Sequence, residues 1–335
     1  MKILVIDDLA ENPEHTRTRL LNVLEQRESI EVTMIEPKEE ALQENLRSID
    51  EFDLILVDYK FDTAISPIFR TGASLYSLLR DYTKSIPIYL ISVLSKYRTN
   101  KLGEFDLFVN NEFVEDHRIF KYEIVEHKKL AQCSDFSQFV ELLGAPDEVL
   151  DDLNSLLRTF FINTSAELNT TDDTVSFSED LNIRLFHWLV ESFLKKEGPL
   201  VSREGAALLL GVSTEYFRQI LDRFEVAKYR GLFADSNEER WWASTIEDCV
   251  LFMEDEEDLL SKHPFKQAAS LLLGASSSNE FSECIECDER YPDALGFLRD
   301  DENKKLHHVH MSCSIPDETL KQEVLFRNPR IIEGD

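Results

Sequence analysis

Apolar runs alternate with amphipathic stretches along the first third of the chain. Five runs rich in β-branched and other apolar residues predict strands near residues 2–7, 30–36, 52–58, 86–92 and 105–110. The stretches that follow them predict helices near residues 13–27, 38–49, 70–82, 94–102 and 115–130. Apolar strands that alternate with helices are typical of a buried parallel sheet. The pattern therefore predicts a doubly wound α/β domain.

Polar side chains stand where three of these predicted strands end. Asp7 and Asp8 follow the first apolar run, Asp58 ends the third, and Ser92 ends the fourth. In an open parallel sheet the carboxyl ends of the strands line one crevice, so these side chains should converge there. Three carboxylates and a hydroxyl suit a site that holds Mg²⁺ and a phosphoryl group. The pattern favours a molecular switch over a metabolic enzyme.

This part of the chain resembles the receiver domain of two-component response regulators. The resemblance rests on the pair Asp7-Asp8, on Asp58 and Ser92, and on the pair Thr71-Gly72 that opens the third helix. It implies a flavodoxin-like domain of five parallel strands in which Asp7, Asp8 and Asp58 bind Mg²⁺. It also implies that Asp58 accepts a phosphoryl group from a histidine kinase and that the Ser92 hydroxyl is the switch that moves to meet it.

One position departs from the receiver pattern. In that family a lysine after the fifth strand pairs with the phosphoryl group, whereas this chain has Asn110-Asn111 there. The missing cation would remove a charge-assisted contact of about 1.5–3 kcal/mol from the phosphorylated form. Two alternatives stay open: conventional phosphorylation of Asp58, or a degenerate pseudo-receiver that serves only for docking.

A second informative stretch predicts two short helices joined by a tight turn. Ser202 can cap the first helix, Gly211 can take a left-handed conformation, and Ser213 or Thr214 can cap the second helix. This is the layout of a helix-turn-helix, in which the second helix can enter a major groove.

The segment resembles the winged helix-turn-helix of excisionase-like bacterial regulators. Residues 240–244 resemble a wing strand that leads into a final helix. Between residues 195 and 230, seven basic residues oppose five acidic ones, which leaves a local charge of +2 in an acidic chain. The alternative is that the helix pair only packs or binds protein. The candidate DNA-contacting side chains are Tyr216, Arg218, Gln219 and Arg223.

A third stretch has the spacing of metal ligands. Cys284 and Cys287 are separated by two residues, and so are His310 and Cys313. Three thiolates and one imidazole close a tetrahedral Zn²⁺ shell with no open position, which is typical of a structural site. The pattern resembles treble-clef zinc fingers, with residues 316–326 as the following helix.

The histidine ligand and the metal itself are not settled by the spacing. His307 and His308 compete with His310 as the ligand. Free thiols without metal are one alternative. Another is a histidine-metal nuclease, which lacks here the later Asn and His that such a site needs.

Composition and charge restrict the class of protein. A formal net charge of −29 over 335 residues argues against broad adhesion to nucleic acid or to anionic membranes. No apolar run approaches the ~18–20 residues of a membrane helix, and the N-terminus has no signal-peptide pattern. Five cysteines suit a reducing compartment and a metal better than a disulfide framework. We therefore expect a cytoplasmic protein.

These patterns predict a multidomain regulatory protein with a mainly helical C-terminal half. Neither a glycine-rich phosphate loop nor a serine nucleophile elbow is present, so we expect no enzymatic activity. The leading hypothesis is a transcriptional regulator in which the receiver-like domain controls DNA binding, with a DNA duplex, a histidine kinase and a second copy of the chain as partners. The alternative is a protein-interaction adaptor. The predicted parts are a receiver-like domain at 1–130, a helical connector at 135–198 with a polar loop at 163–180, a winged helix-turn-helix at 199–262 and a zinc module at 280–335.

Overall fold

The computed structural model places the described residues in two units. It describes residues 1–12, 14–28, 30–62, 68–92, 106–109, 116–162, 179–253, 256–284, 287–298, 306–310, 313 and 331–333. The first unit contains the described residues of Met1–Phe139 and Ser165–Leu189. The second contains those of Val140–Thr164 and Val190–Asp335. Each unit has its own buried apolar core.

A five-stranded parallel sheet forms the centre of the first unit. Its strand order is β2-β1-β3-β4-β5, and every neighbouring pair is parallel. This arrangement confirms the predicted α/β sheet of flavodoxin-like type. The helix predicted at 94–102 lies outside the described residues. The strands are β1 (Lys2–Ile6), β2 (Glu31–Ile35), β3 (Leu54–Asp58), β4 (Ile88–Ile91) and β5 (Leu107–Val109).

The strand register carries the polar strand ends to one edge of this sheet. Val57 pairs with the last residue of β1, and Asp58 pairs with the last residue of β4. Asp7 and Asp58 therefore occupy adjacent positions at the carboxyl edge of the sheet, and Ser92 lies one step farther along. This is the convergence that the sequence predicts for an open parallel sheet.

The pair Thr71-Gly72 begins helix α3 of the first unit. The Thr71 hydroxyl accepts a hydrogen bond from the backbone N–H of Ser74 and caps α3. A Cβ on Gly72 would collide with the carbonyl oxygen of Asp58, so this helix can begin beside β3 only with glycine. The helices are α1 (Thr16–Glu28), α2 (Glu39–Leu46), α3 (Gly72–Tyr82), α4 (His117–Ala131), α5 (Phe136–Leu142) and α7 (Glu179–Trp188). The last three residues of α5 belong to the second unit.

A buried carboxylate anchors α7 to the β4–β5 side of the sheet. Asp106 is fully buried and accepts hydrogen bonds from His187 (3.1 Å), from the backbone N–H of Ile88 (2.6 Å) and from Arg80. Burial raises the pKa of Asp106, but the His187 hydrogen bond and the Arg80 charge outweigh it and lower that pKa below its ordinary value. The carboxylate is therefore held in its charged form by groups from α3, β4 and α7.

We expect Asp106→Asn to destabilise the first unit by about 3 kcal/mol, because it removes the buried charge that binds Arg80 and places an amide N–H₂ among groups that donate hydrogen bonds. Amide exchange of β4 in the full chain measures the effect, which should appear as loss of protection there. Asp81→Asn is the matched control, since Asp81 is exposed on α3. Equal protection of β4 in the two variants would contradict the anchoring role of Asp106.

The second unit is mainly helical. Its core contains Phe217, Phe224 and Trp241, and the ring of Phe217 contacts the rings of the other two. In the described parts of the chain, no helix combines the length and the apolar character needed to cross a bilayer. The helices are α6 (Asp147–Ile162), α8 (Arg203–Leu209), α9 (Thr214–Gln219), α10 (Ala243–Leu251), α11 (Glu256–Lys262) and α12 (Phe265–Leu272).

The stretch from β6 (Leu200–Val201) to α10 contains the predicted helix pair. Ser202 caps α8 by accepting from Gly205 N–H at 3.0 Å, and Ser213 caps α9 by accepting from Tyr216 N–H at 3.2 Å. Gly211 lies in the left-handed region with φ +69°. Strand β7 (Trp241–Trp242) falls where a strand is predicted, pairs antiparallel with β6 and leads directly into α10.

A separate three-stranded sheet lies near the C-terminus. Strand β8 (Ala294–Leu298) pairs antiparallel with β9 (Leu306–His310) and parallel with β10 (Ile331–Glu333). The end of β9 brings His310 to the predicted metal ligands. The helix predicted at 316–326 lies outside the described residues.

Candidate functional sites

The acidic crevice at the carboxyl edge of the parallel sheet holds the predicted receiver residues. Asp7 is buried at 2 % exposure, whereas Asp8 is half-buried. The side chain of Asp58 is 16 % exposed, and Ser92 is buried just beyond β4. The structure thus places all four residues at one edge of the sheet. Asn110-Asn111, the predicted departure from the receiver pattern, lies outside the described residues.

A guanidinium occupies the space between two of these carboxylates. Nη1 of Arg17 donates to Oδ2 of Asp7 and to Oδ1 of Asp58, the latter at 2.8 Å. The Arg17 side chain is only 3 % exposed. Sequence analysis missed this residue, although its place in the first turn of α1, just after β1, puts it near the carboxyl edge of the sheet.

The remaining carboxylate oxygens also accept hydrogen bonds from the protein. Asp7 Oδ1 accepts from Leu9 N–H at 2.8 Å, and Asp8 Oδ2 accepts from Asp62 N–H at 2.5 Å. Burial raises the pKa of Asp58, and the charge of Arg17 acts in the opposite direction. Burial also raises the pKa of Asp8. Because the crevice already contains the Arg17 cation, this arrangement does not support the predicted Mg²⁺ site. Magnesium binding and the phosphoacceptor role of Asp58 both stay predictions.

The four candidate DNA-contacting residues fall into two groups. Arg218 and Gln219 are exposed on α9. The Tyr216 hydroxyl donates to the carbonyl oxygen of Leu273 at 2.9 Å, and Nη1 of Arg223 donates to the same oxygen at 3.4 Å. Leu273 is the C-cap residue of α12, and its carbonyl oxygen has no partner within the helix. Two of the four side chains therefore supply the hydrogen bonds that this helix end lacks.

The turn between α8 and α9 is packed against segments that follow it in the chain. Ser213 N–H donates to the carbonyl oxygen of Glu280 at 2.6 Å, and the Ser282 hydroxyl donates to that of Val212 at 2.9 Å. A Cβ on Gly211 would lie 2.7 Å from the carbonyl oxygens of Lys266 and Pro292. The helix pair is thus built into the second unit through its turn and through the cap of α12.

The basic residues around the helix pair have partners in the same chain. Arg218 contacts Glu215 at 2.9 Å, and Glu239 binds both Arg203 (2.7 Å) and Lys228 (2.6 Å). The predicted domain at 199–262 has seven basic and fourteen acidic residues, a net charge of −7, because the acidic residues after position 230 fall outside the +2 window. Two further ion pairs join Arg230 to Glu225 and Arg240 to Glu197.

The four predicted zinc ligands form one cluster. One donor atom from each of Cys284, Cys287, His310 and Cys313 lies within 4.8 Å of the other three. His310 is the histidine of this cluster, whereas His308 is outside it. A tetrahedral zinc ion places its ligand atoms roughly 3.5 Å apart, so the cluster is close to the required size. These residues therefore fit a metal ion and are compatible with a structural zinc.

Local backbone geometry holds the ligands together. Cys284 N–H donates to the carbonyl oxygen of Glu289 at 2.9 Å, and Asp288 has a left-handed φ of 58°, which turns the chain back. His310 Nδ1 lies 3.4 Å from the Cys287 sulfur and can serve as the ligand nitrogen. His310 Nε2 is buried without a hydrogen-bond partner among the described residues. A zinc ion bound by all three sulfurs and the one nitrogen would have no open coordination position, which is typical of structural sites.

We expect elemental analysis to find one zinc ion per chain, as a closed four-ligand set requires. Cys284→Ser should lose that zinc and lower the unfolding midpoint of the second unit, because ligand binding stabilises only the folded site. Cys249→Ser is the control, since Cys249 lies on α10 and outside the cluster. A zinc-free wild-type chain, or full zinc in Cys284→Ser, would contradict the assignment.

No family model matches the chain, and no curated protein matches it either. The acidic crevice, the helix pair and the cysteine and histidine cluster are therefore the features from which a function can be inferred.

Proposed function

We propose that the protein is a non-enzymatic regulatory adaptor that works by binding other proteins. The main support for this proposal is that the basic residues around α8 and α9 form contacts with acidic side chains and backbone carbonyls of the same chain. All six Lys and Arg residues of 199–253, a fully described stretch, contact an acidic side chain or a backbone carbonyl of the chain itself. Duplex binding depends on positive charge that neutralises phosphates, and the acidic partners here offset that charge and would repel a phosphate backbone. The helix pair is therefore better suited to packing and protein contact.

The charge of the chain suggests the chemistry of the partner. A formal charge of −29 repels phosphate backbones and attracts basic protein surfaces. Complementary charge chiefly increases the rate of encounter and excludes wrong partners. The adaptor would accordingly select partners that carry a basic face.

The first unit supports this function as a docking domain. Its acidic crevice holds the Arg17 guanidinium, which favours the pseudo-receiver alternative over a phosphorylated switch. A histidine kinase or another signalling protein is the kind of partner that such a domain would dock. The closed cysteine and histidine cluster would act as a zinc-stabilised scaffold in the second unit.

A second candidate function is a DNA-binding transcriptional regulator. It is favoured by the order β6, α8, turn, α9, β7 and α10, which has the elements of a winged helix-turn-helix, and by the exposure of Arg218 and Gln219 on α9. In that case Asp58, Mg²⁺ and Ser92 would form the phosphorylation switch that controls a homodimer on DNA.

Duplex binding by the purified chain distinguishes the two functions. For the adaptor we expect weak affinity for genomic duplexes that does not change in Arg218→Ala. Fluorescence anisotropy over a range of salt concentrations measures both affinity and salt slope. If the chain instead contacts DNA through Arg218, the variant should bind more weakly with a log–log salt slope shallower by about 0.9. Arg19→Ala, exposed on α1, is the charge-matched control.

The adaptor function itself is tested by capture of a partner followed by reconstitution from purified components. We expect a defined complex whose affinity falls with ionic strength, because salt screens complementary surface charges. If captured proteins form no complex when purified, while a discrete duplex binds, the adaptor proposal is wrong and the regulator takes its place.

A further inference from the structure

The buried guanidinium in the acidic crevice points to a role that the sequence pattern does not assign. Arg17 projects from the first turn of α1, and a single nitrogen, Nη1, donates to both Asp7 and Asp58. We propose that Arg17 is the resident cation of this crevice and replaces the divalent metal that the receiver resemblance implies. The crevice is then a latent cation site that its own arginine keeps closed.

The position of the nitrogen atom is the first argument. Nη1 lies 2.8 Å from Asp58 Oδ1 and is also in contact with Asp7 Oδ2. Mg²⁺ needs carboxylate oxygens at about 2.0–2.1 Å in near-octahedral geometry. A metal that bridges these two oxygens would have to occupy the place where the guanidinium nitrogen lies. The two cations are therefore mutually exclusive at this pair of carboxylates.

Burial and permanent charge are the second argument. Arg17 and Asp7 are 3 % and 2 % exposed, so neither can exchange its partner for water while the crevice stays closed. A guanidinium keeps its charge at every pH at which proteins stay folded, so protonation cannot release it. Separating the pair would leave an uncompensated buried carboxylate, which is strongly unfavourable. The closed state thus needs no metal to neutralise Asp7.

The consequence for Asp58 follows from the same contacts. Phosphoryl transfer requires a cation that neutralises charge on the oxygens of the transferred group. Here the cation is already hydrogen-bonded to Oδ1 of Asp58, and Lys60 N–H donates to Oδ2 at 3.3 Å. A metal-dependent transfer to Asp58 would first have to displace Arg17. The first unit is accordingly expected to keep one conformation with or without Mg²⁺.

The test is a titration of the full chain with Mg²⁺ and with Mn²⁺. Calorimetry measures binding, and thermal unfolding measures the shift of the midpoint. We expect no specific binding and no midpoint shift in the wild-type chain. Arg17→Ala should bind the metal at least ~10-fold more tightly than the wild type, since the cation that competes for the oxygens of Asp7 and Asp58 is removed. The gained site should disappear in the double variant Arg17→Ala with Asp58→Asn.

Arg19→Ala is the matched control, because it removes an exposed arginine from the same helix and should behave like the wild type. One-to-one Mg²⁺ binding by the wild-type chain that Asp58→Asn abolishes would overturn the proposal. So would an Arg17→Ala chain that folds but gains no site. If Arg17→Ala does not fold, the comparison of wild type with Asp58→Asn decides the question by itself.

Discussion

Two carboxylates at the carboxyl edge of a parallel sheet set the constraint on which the first unit depends. The register of β1 against β3 makes Asp7 and Asp58 neighbours, and burial makes their charges costly unless a cation compensates them. Arg17 supplies that cation from α1, so the sheet edge, the helix and the crevice form one arrangement. The same physical problem recurs at Asp106, where Arg80 and His187 hold a fully buried carboxylate in its charged form. In both places a buried ion group joins helices to the sheet.

The sequence was sufficient for the features that depend on local pattern. Runs rich in apolar residues predicted all five strands, the caps and Gly211 predicted the helix pair, and the cysteine spacing predicted the cluster of candidate metal ligands. Features that depend on tertiary contacts could not be predicted. Helical periodicity does not tell which side chain of α1 enters the crevice, and nothing near Tyr216 indicates a partner 57 residues later. The choice of His310 over His308 required the position of β9 beside the cysteines.

The charge of the short window that contains the helix pair differs from the charge of the unit around it. A window of +2 between residues 195 and 230 suggests a basic surface, but the acidic residues that neutralise it lie partly outside that window. Glu239, nine residues beyond it, binds two of the basic side chains. In the folded chain, acidic side chains from outside the window therefore offset the positive charge of the basic stretch. This charge balance is the reason for proposing a protein partner in place of a nucleic acid.

We propose that the two units work through protein contacts and not through DNA binding controlled by phosphorylation. The most direct test of this proposal is selection of genomic duplex fragments by the purified full chain, with and without Mg²⁺ and beryllofluoride. We expect no enriched sequence in either condition, because acidic partners offset the charge of the basic side chains and Arg17 occupies the acidic crevice. Enrichment of a discrete site, with a strength that changes when the phosphoryl mimic is added, would contradict the account and establish a receiver-controlled DNA regulator.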